Sequence, residues 1–255
     1  MDNKQQTREA FEYQWEKWGL EDKIYGMDEQ EYKTHVFNNT PGFDILDEFF
    51  KGKTILEAGC GHGMVGSILS PLCKEYTGID IGKGIERARA RLSGLKNVKL
   101  VQCDILDMPP TIKKYDFVFC TGVIHHTGNT RKAFRELSKK VKSGGHLYIW
   151  VYPKGNIFWE YSNKLLRAIT TRLRPRTQHK LSRLLIPLLL IFRPYANNRI
   201  GKNTIKELSQ SVFDWISPKF QSHHTEEELL DWYSEERYYN VRPFRAKTGA
   251  IGRKV

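Results

Sequence analysis

Apolar residues recur along this chain with two periods, and the change from one to the other marks its organisation. Over about 5–38 the spacing is helical: Phe11, Trp15 and Trp18 fall at i, i+4 and i+7 on one stripe. Asn38, Asn39, Thr40, Pro41 and Gly42 break that pattern, 43–50 resumes it, and Lys51-Gly52-Lys53 reads as a turn. Short apolar runs then alternate with helical stretches. Strands are predicted at 54–57, 75–80, 97–103, 115–121 and 146–151, with helices at 64–72, 82–92 and 130–141 between them. The run Phe117-Val118-Phe119-Cys120 is apolar on both faces, as a strand covered by helices on each side must be.

That alternation predicts an α/β fold: a doubly wound, mostly parallel sheet. It stops at 153. Residues 153–215 read as helix and loop rich in Leu, Arg and Pro, after which Thr225-Glu226-Glu227-Glu228 forms a capping box that opens a helix over 225–233. Arg237 to Arg242 and 249–255 are candidate sixth and seventh strands. No internal repeat is visible. The simplest organisation is one domain over 1–255, with an N-terminal helical segment, 1–50, and a helical insertion or cap, 153–215, after the fifth strand.

Composition adds little except through charge. Four cysteines, Cys60, Cys73, Cys103 and Cys120, lack metal or redox spacing and read as reduced thiols, so the expected location is cytoplasmic and no metal is expected. The N-terminus has no apolar h-region, and the longest uncharged apolar run, 184–192, is too short to span a bilayer. Net charge is +12, but residues 154–202 hold eleven basic residues against one acid, Glu160, and so carry +10 of it. The chain is a nearly neutral body with one cationic segment.

The candidate chemistry begins at Thr54-Ile55-Leu56-Glu57-Ala58-Gly59-Cys60-Gly61-His62-Gly63, a buried strand running through three alternating glycines into a helix. Such a turn lies at the carboxyl edge of a doubly wound sheet, where ligands bind. Gly61-x-Gly63-x-x-Gly66 with Asp80 downstream matches a dinucleotide fingerprint, which makes a nucleotide-dependent oxidoreductase one reading. S-adenosylmethionine (SAM) is the other. Glu57 inside the turn would repel a pyrophosphate but suit an ammonium and a sulfonium. Asp80 ends strand two and can accept ribose hydroxyls; Asp104 follows strand three and can accept from an adenine amino group.

Glu-Ala-Gly-Cys-Gly-His-Gly (57–63) resembles motif I of the class I, seven-stranded SAM-dependent methyltransferases. Gly78-Ile79-Asp80, Cys103-Asp104-Ile105, Tyr115-Asp116-Phe117-Val118 with Gly122 to His126, and Lys142-Ser143-Gly144-Gly145 resemble the later motifs, with Ser143 where the family usually has Pro. The resemblance covers about 50–152. It implies strand order 3-2-1-4-5-7-6 with strand seven antiparallel, and an N-terminal helix serving as a lid. It assigns SAM (product S-adenosylhomocysteine) to Glu57, Gly59, Gly61, Gly63, Asp80, Ile81, Asp104, Ile105 and Thr121.

Methyl transfer needs positioning and, for a hydroxyl or acidic carbon, a base near neutrality. His125-His126 after strand four and His223-His224 before the capping box are the candidates. In an extended stretch one of each pair would face the cleft, and the helix start would keep the second pair neutral. Each also has a structural reading, as packing or cap. Tyr13, Trp15 and Tyr152 either border the pocket or pack in the core. The basic amphipathic helices of the insertion suit either an anionic membrane surface or a cap over a pocket, and the insertion has three readings: a lid over a lipid-like or phosphorylated small molecule; a track for nucleic acid, disfavoured by its leucine content and few aromatics; or a cap that packs its leucines and solvates its arginines. The reading adopted is a methyltransferase acting on a small or lipid-like molecule. A SAM-binding protein without transferase activity and a nucleic-acid methyltransferase are the alternatives, with the oligomeric state open.

Overall fold

A computed structural model describes residues 2–18, 28–34, 37, 46–192, 205–244 and 248–255. The break at 38–42, the start of the stretch at 43–50 and the part of the insertion at 193–204 lie outside the described residues. The elements in chain order are α1 (Asn3–Trp18), α2 (Glu29–Lys33), α3 (Leu46–Phe50), β1 (Thr54–Ala58), α4 (Met64–Leu69), β2 (Glu75–Asp80), α5 (Gly84–Arg91), β3 (Val98–Gln102), β4 (Tyr115–Thr121), α6 (Thr130–Ser138), β5 (Val141–Trp150), α7 (Ile157–Thr170), α8 (Pro175–Phe192), α9 (Ile205–Ile216), α10 (Glu226–Glu235), β6 (Tyr238–Phe244) and β7 (Gly249–Lys254).

The strands form one sheet in the order β3-β2-β1-β4-β5-β7-β6. The first five are parallel, and β7 runs antiparallel between β5 and β6, as the motif resemblance implies. Alternation along the strands divides the core in two. Leu56, Val118, Cys120, Leu147 and Ile149 meet Phe134 and Leu137 of α6 and Tyr233 of α10 on one face. On the other, Ile55, Phe117, Phe119 and Tyr148 meet Val65 and Ile68 of α4, with Phe37 and Phe50. The capping box forms: the Thr225 hydroxyl accepts from the Glu228 amide at 3.1 Å, and Glu228 accepts from the Thr225 amide at 3.0 Å.

Three boundaries within the alternating region differ from the sequence pattern by three residues or more. Helix α6 ends at Ser138, and β5 starts at Val141, earlier than expected. The glycine pair is no turn ahead of the strand; it lies in an irregularity inside it, between Tyr115↔Val141 and Phe117↔His146. A Cβ on Gly145 would come within 2.8 Å of the Asp116 carbonyl oxygen, so close approach of β4 explains that glycine. Helix α4 is cut to Leu69, and Pro71 lies in the 3₁₀ turn that follows.

Helix α1 decides how the site is covered. One side of it is tied to the segment after α9: Gln6 donates to the Ser217 carbonyl (2.9 Å) and accepts from the Lys219 amide (2.7 Å), and Thr7 accepts from the Phe220 amide (3.0 Å). Its other side lies on the glycine-rich turn.

Candidate active site

β1 delivers the chain to its carboxyl edge, and the turn beyond it can be made only by glycine. Gly59, Gly61 and Gly63 have φ of 80°, 50° and 86°. A Cβ on Gly59 would sit 2.3 Å from Val123 Cγ2, so the turn after β4 packs directly on this one. The amides of Gly59 and Cys60 both donate to the Ile79 carbonyl, at 2.8 and 3.0 Å, which locks the turn to β2.

Asp80 ends β2 beneath that turn. One carboxylate oxygen accepts from the Gly61 amide (2.9 Å) and the other from the Gly82 amide (2.8 Å). Each oxygen therefore keeps acceptor capacity for a further donor. Burial raises the Asp80 pKa, against the pull of those backbone bonds. Ile81 follows at the same edge, its carbonyl accepting from Gln102 at 3.2 Å. Asp104 follows β3, accepts from the Leu106 amide at 2.8 Å and pairs with the Lys4 ammonium of α1. Ile105 beside it is buried, and Thr121, ending β4, is half-buried.

Glu57 is placed differently from Asp80 and Asp104. It is buried, and its carboxyl receives the Tyr76 hydroxyl of β2. A Cβ on Gly66 would lie 2.9 Å from that hydroxyl, so the pair sits under the first turn of α4. Burial lifts the Glu57 carboxyl to about 8, the Tyr76 bond opposing and the Asp80 charge adding.

Helix α1 lies over the turn. The Trp15 ring stacks on His62 at 4.8 Å and 16° and abuts Gly61 and Gly84, where a Cβ would come within 2.9 and 2.6 Å of it. Trp15 thus covers the turn. Tyr13 points elsewhere, its hydroxyl 3.0 Å from His179 Nδ1 on α8. Glu12 accepts from the Lys83 amide at 3.2 Å. His62 is buried and burial lowers its pKa to about 3.

The histidines separate into a buried pair and a peripheral pair. His125 and His126 do not lie in an extended stretch; they lie in a 3₁₀ turn, Ile124–His126, with rings 4.2 Å apart. Both therefore enter one cluster, contrary to the alternation expected of extended backbone. His126 Nδ1 meets the Phe220 carbonyl at 2.8 Å, and its ring meets Phe11 of α1 at 4.9 Å. The His125 ring lies 3.9 Å from that of Tyr152, and neither of its nitrogens has a hydrogen-bond partner among the described residues. Burial holds the His125 pKa well below its ordinary value and brings His126 to about 3. His223 pairs with Glu160 of α7 at 2.6 Å. His224 turns toward α10, 3.3 Å from Glu228. Its pKa is lowered, chiefly by burial and against the pull of Glu228.

Three further residues complete the cluster. The Tyr152 hydroxyl donates to Asp214 of α9, a buried carboxyl whose pKa burial raises. Arg167 of α7 donates to the Trp215 carbonyl at 2.7 Å and to the Pro218 carbonyl, holding the segment that carries Phe220. The available signals were single charges within apolar helical runs: Asp214 in Val-Phe-Asp-Trp-Ile and Arg167 in Leu-Leu-Arg-Ala-Ile. Among the described residues no group of three or more His, Cys, Asp or Glu could hold a metal ion.

Residues 56–149 match the family described as Methyltransferase domain. The ubiquinone biosynthesis O-methyltransferase of Proteus mirabilis is 29% identical over 112 residues, 42% of this chain and 45% of that protein. The uncharacterised methyltransferase YcgJ of Bacillus subtilis is 27% identical over 118 residues, 44% of this chain and 47% of that protein. Its crystal structure aligns over 79% of this chain and 69% of its own, at 18% identity and a TM-score of 0.52. Magnesium protoporphyrin IX methyltransferase from Synechocystis PCC 6803 aligns over 97% of this chain and 98% of its own, at 13% identity and a TM-score of 0.56. The chain spans less than half the length of these two curated relatives. The structural likenesses, at these identities, are likenesses of fold.

Proposed function

We propose that the chain, whose residues 56–149 match the Methyltransferase domain family and whose sheet has the order implied by the class I SAM-dependent methyltransferase motifs, transfers a methyl group from SAM to an acidic hydroxyl of a small, lipid-like molecule. The observation that carries the cofactor is Asp80, whose two oxygens each hold one amide of the turn region and retain capacity for the two ribose hydroxyls. Asp104 and Ile105 would meet the adenine, and Ile81 and Thr121 would border the nucleoside. The glycines let backbone approach its methionine part, and Glu57 would meet the amino group by ionising beneath them. SAM, when bound, supplies an electrophilic methyl group on a positively charged sulfur. Helix α1 serves as the lid: Trp15 closes over Gly61, and Lys4 yields Asp104 to the ligand.

On the acceptor side, burial keeps His125 neutral and leaves both its nitrogens available. Its low basicity suits an acceptor proton that is itself acidic, such as a phenolic hydroxyl, better than that of an alcohol or an ammonium. The likeness to an enzyme named for ubiquinone biosynthesis supports the same class. Tyr152 and Asp214 fix the ring on which His125 lies.

Purified chain incubated with methyl-labelled SAM and fractions of a native cell extract tests this. Label should appear in an organic-extractable small molecule, and His125→Asn should lower kcat with SAM affinity unchanged. Label in nucleic acid, or SAM binding with label in no fraction, would contradict the reading; the latter would leave a SAM-binding protein without turnover.

A further inference from the structure

Helix α7 is amphipathic in the wrong direction for a helix that packs on a protein. Beside Trp159, stacked on Trp215, and Leu166, packed on Val212 and Ile216, its inner face buries polar residues: Asn163, Arg167 and Thr170, Arg167 at 8% exposure, bonded to Gln221, the Trp215 carbonyl and the Ile216 carbonyl among others. Its outer face is apolar. Ile157, Phe158, Tyr161, Leu165 and Ile169 recur at helical spacing and are 75, 78, 68, 70 and 60% exposed. A helix whose only neighbours were this chain and water would show the reverse. The expectation that the segment packs its leucines and solvates its arginines therefore fails at Leu165 and Arg167.

We propose that this outer face of α7 docks on an anionic membrane surface, lying in the interface with its apolar stripe among the acyl chains. Length and charge choose this occupant. Fourteen residues make a rod of about 21 Å, suited to lie in the interface. Among the described residues no helix is long and apolar enough to cross a membrane. The exposed cations Lys154, Lys164 and Arg172 flank the stripe, and residues 154–186 contain eight basic residues to one acid. That acid, Glu160, is engaged by His223. A second copy would bring the same cations against themselves on chains of +12. Nucleic acid would meet the cations but give Leu165 and Ile169 no apolar partner. An anionic bilayer answers both features. The inference rests on α7 and not on methyl transfer, so either can fail without the other.

The test is flotation of the full chain with vesicles of phosphatidylcholine alone, or with about a third phosphatidylglycerol. The chain floats with the anionic vesicles only, and less at high salt. Phe158→Ser with Leu165→Ser, both fully outward positions, lowers partitioning at least about tenfold, with SAM affinity and circular dichroism unchanged. Lys164→Glu with Arg172→Glu lowers it too. Absence of flotation with both vesicles overturns the proposal, as does equal flotation of the double serine variant. A dimer in sedimentation that the serine variant dissociates would assign the face to a second copy and overturn it as well.

Discussion

A carboxyl enclosed by protein, with no cation beside it among the described residues, holds its proton, and Glu57 does so up to about 8. Because the folded value lies above the unfolded one, the folded chain binds more protons between them, and stability falls as pH rises from the ordinary carboxylate range toward 8. Glu57→Gln, which imitates the protonated form, removes that slope. Urea unfolding of both proteins at pH 5 and pH 8 should show the wild type losing on the order of 3 kcal/mol relative to the variant. An equal difference at the two pH values would mean that the carboxyl is solvated. At this scale the sequence was legible where backbone geometry dictates residue type. Gly59, Gly61 and Gly63 announce positive φ, and Asp80 closing β2 with Asp104 following β3 announces a polar edge. It was not legible where a tertiary neighbour decides: nothing local tells that Tyr76 reaches Glu57, or that His125 and His126 share a 3₁₀ turn.

At the scale of elements, hydrophobic period identified the helices and strands but not which way a helix faces. The spacing of Leu165, Leu166 and Ile169 predicts α7; its polar inner face depends on backbone carbonyls some fifty residues away in sequence, which accept from Arg167. Arg167 meets the carboxyl end of α9, where carbonyls lack intrahelical partners and a cation is favoured. Arg167→Met strips the Pro218 carbonyl of its donor and leaves the Trp215 carbonyl only the 3.3 Å bond from Gln221, and should cost about 2–4 kcal/mol in urea unfolding. Arg172→Met, on the exposed side, should stay within about 0.5 kcal/mol. Equal losses would refute the orientation of α7. The early start of β5 was hidden for a related reason: Gly144-Gly145 reads locally as a turn, and only the approach of Asp116 on β4 places it inside a strand.

Across the whole molecule, sheet order and site position are one fact. The order β3-β2-β1-β4-β5-β7-β6 places the ends of β1, β2 and β3 side by side, so that the glycine turn, Asp80 and Asp104 share an edge. The turn after β4 carries the histidines to the neighbouring position, and α1 lies across both. That division, cofactor on one half of the edge and acceptor on the other, is the central claim, and Asp80 is its most exposed point. Calorimetric titration of the purified chain with SAM, S-adenosylhomocysteine and NADH tests it most directly. SAM and S-adenosylhomocysteine should bind, NADH should give no heat, and Asp80→Ala should weaken SAM binding about tenfold to a hundredfold through loss of charged hydrogen bonds. No heat with SAM at millimolar concentration, or NADH bound in its place, would contradict the account.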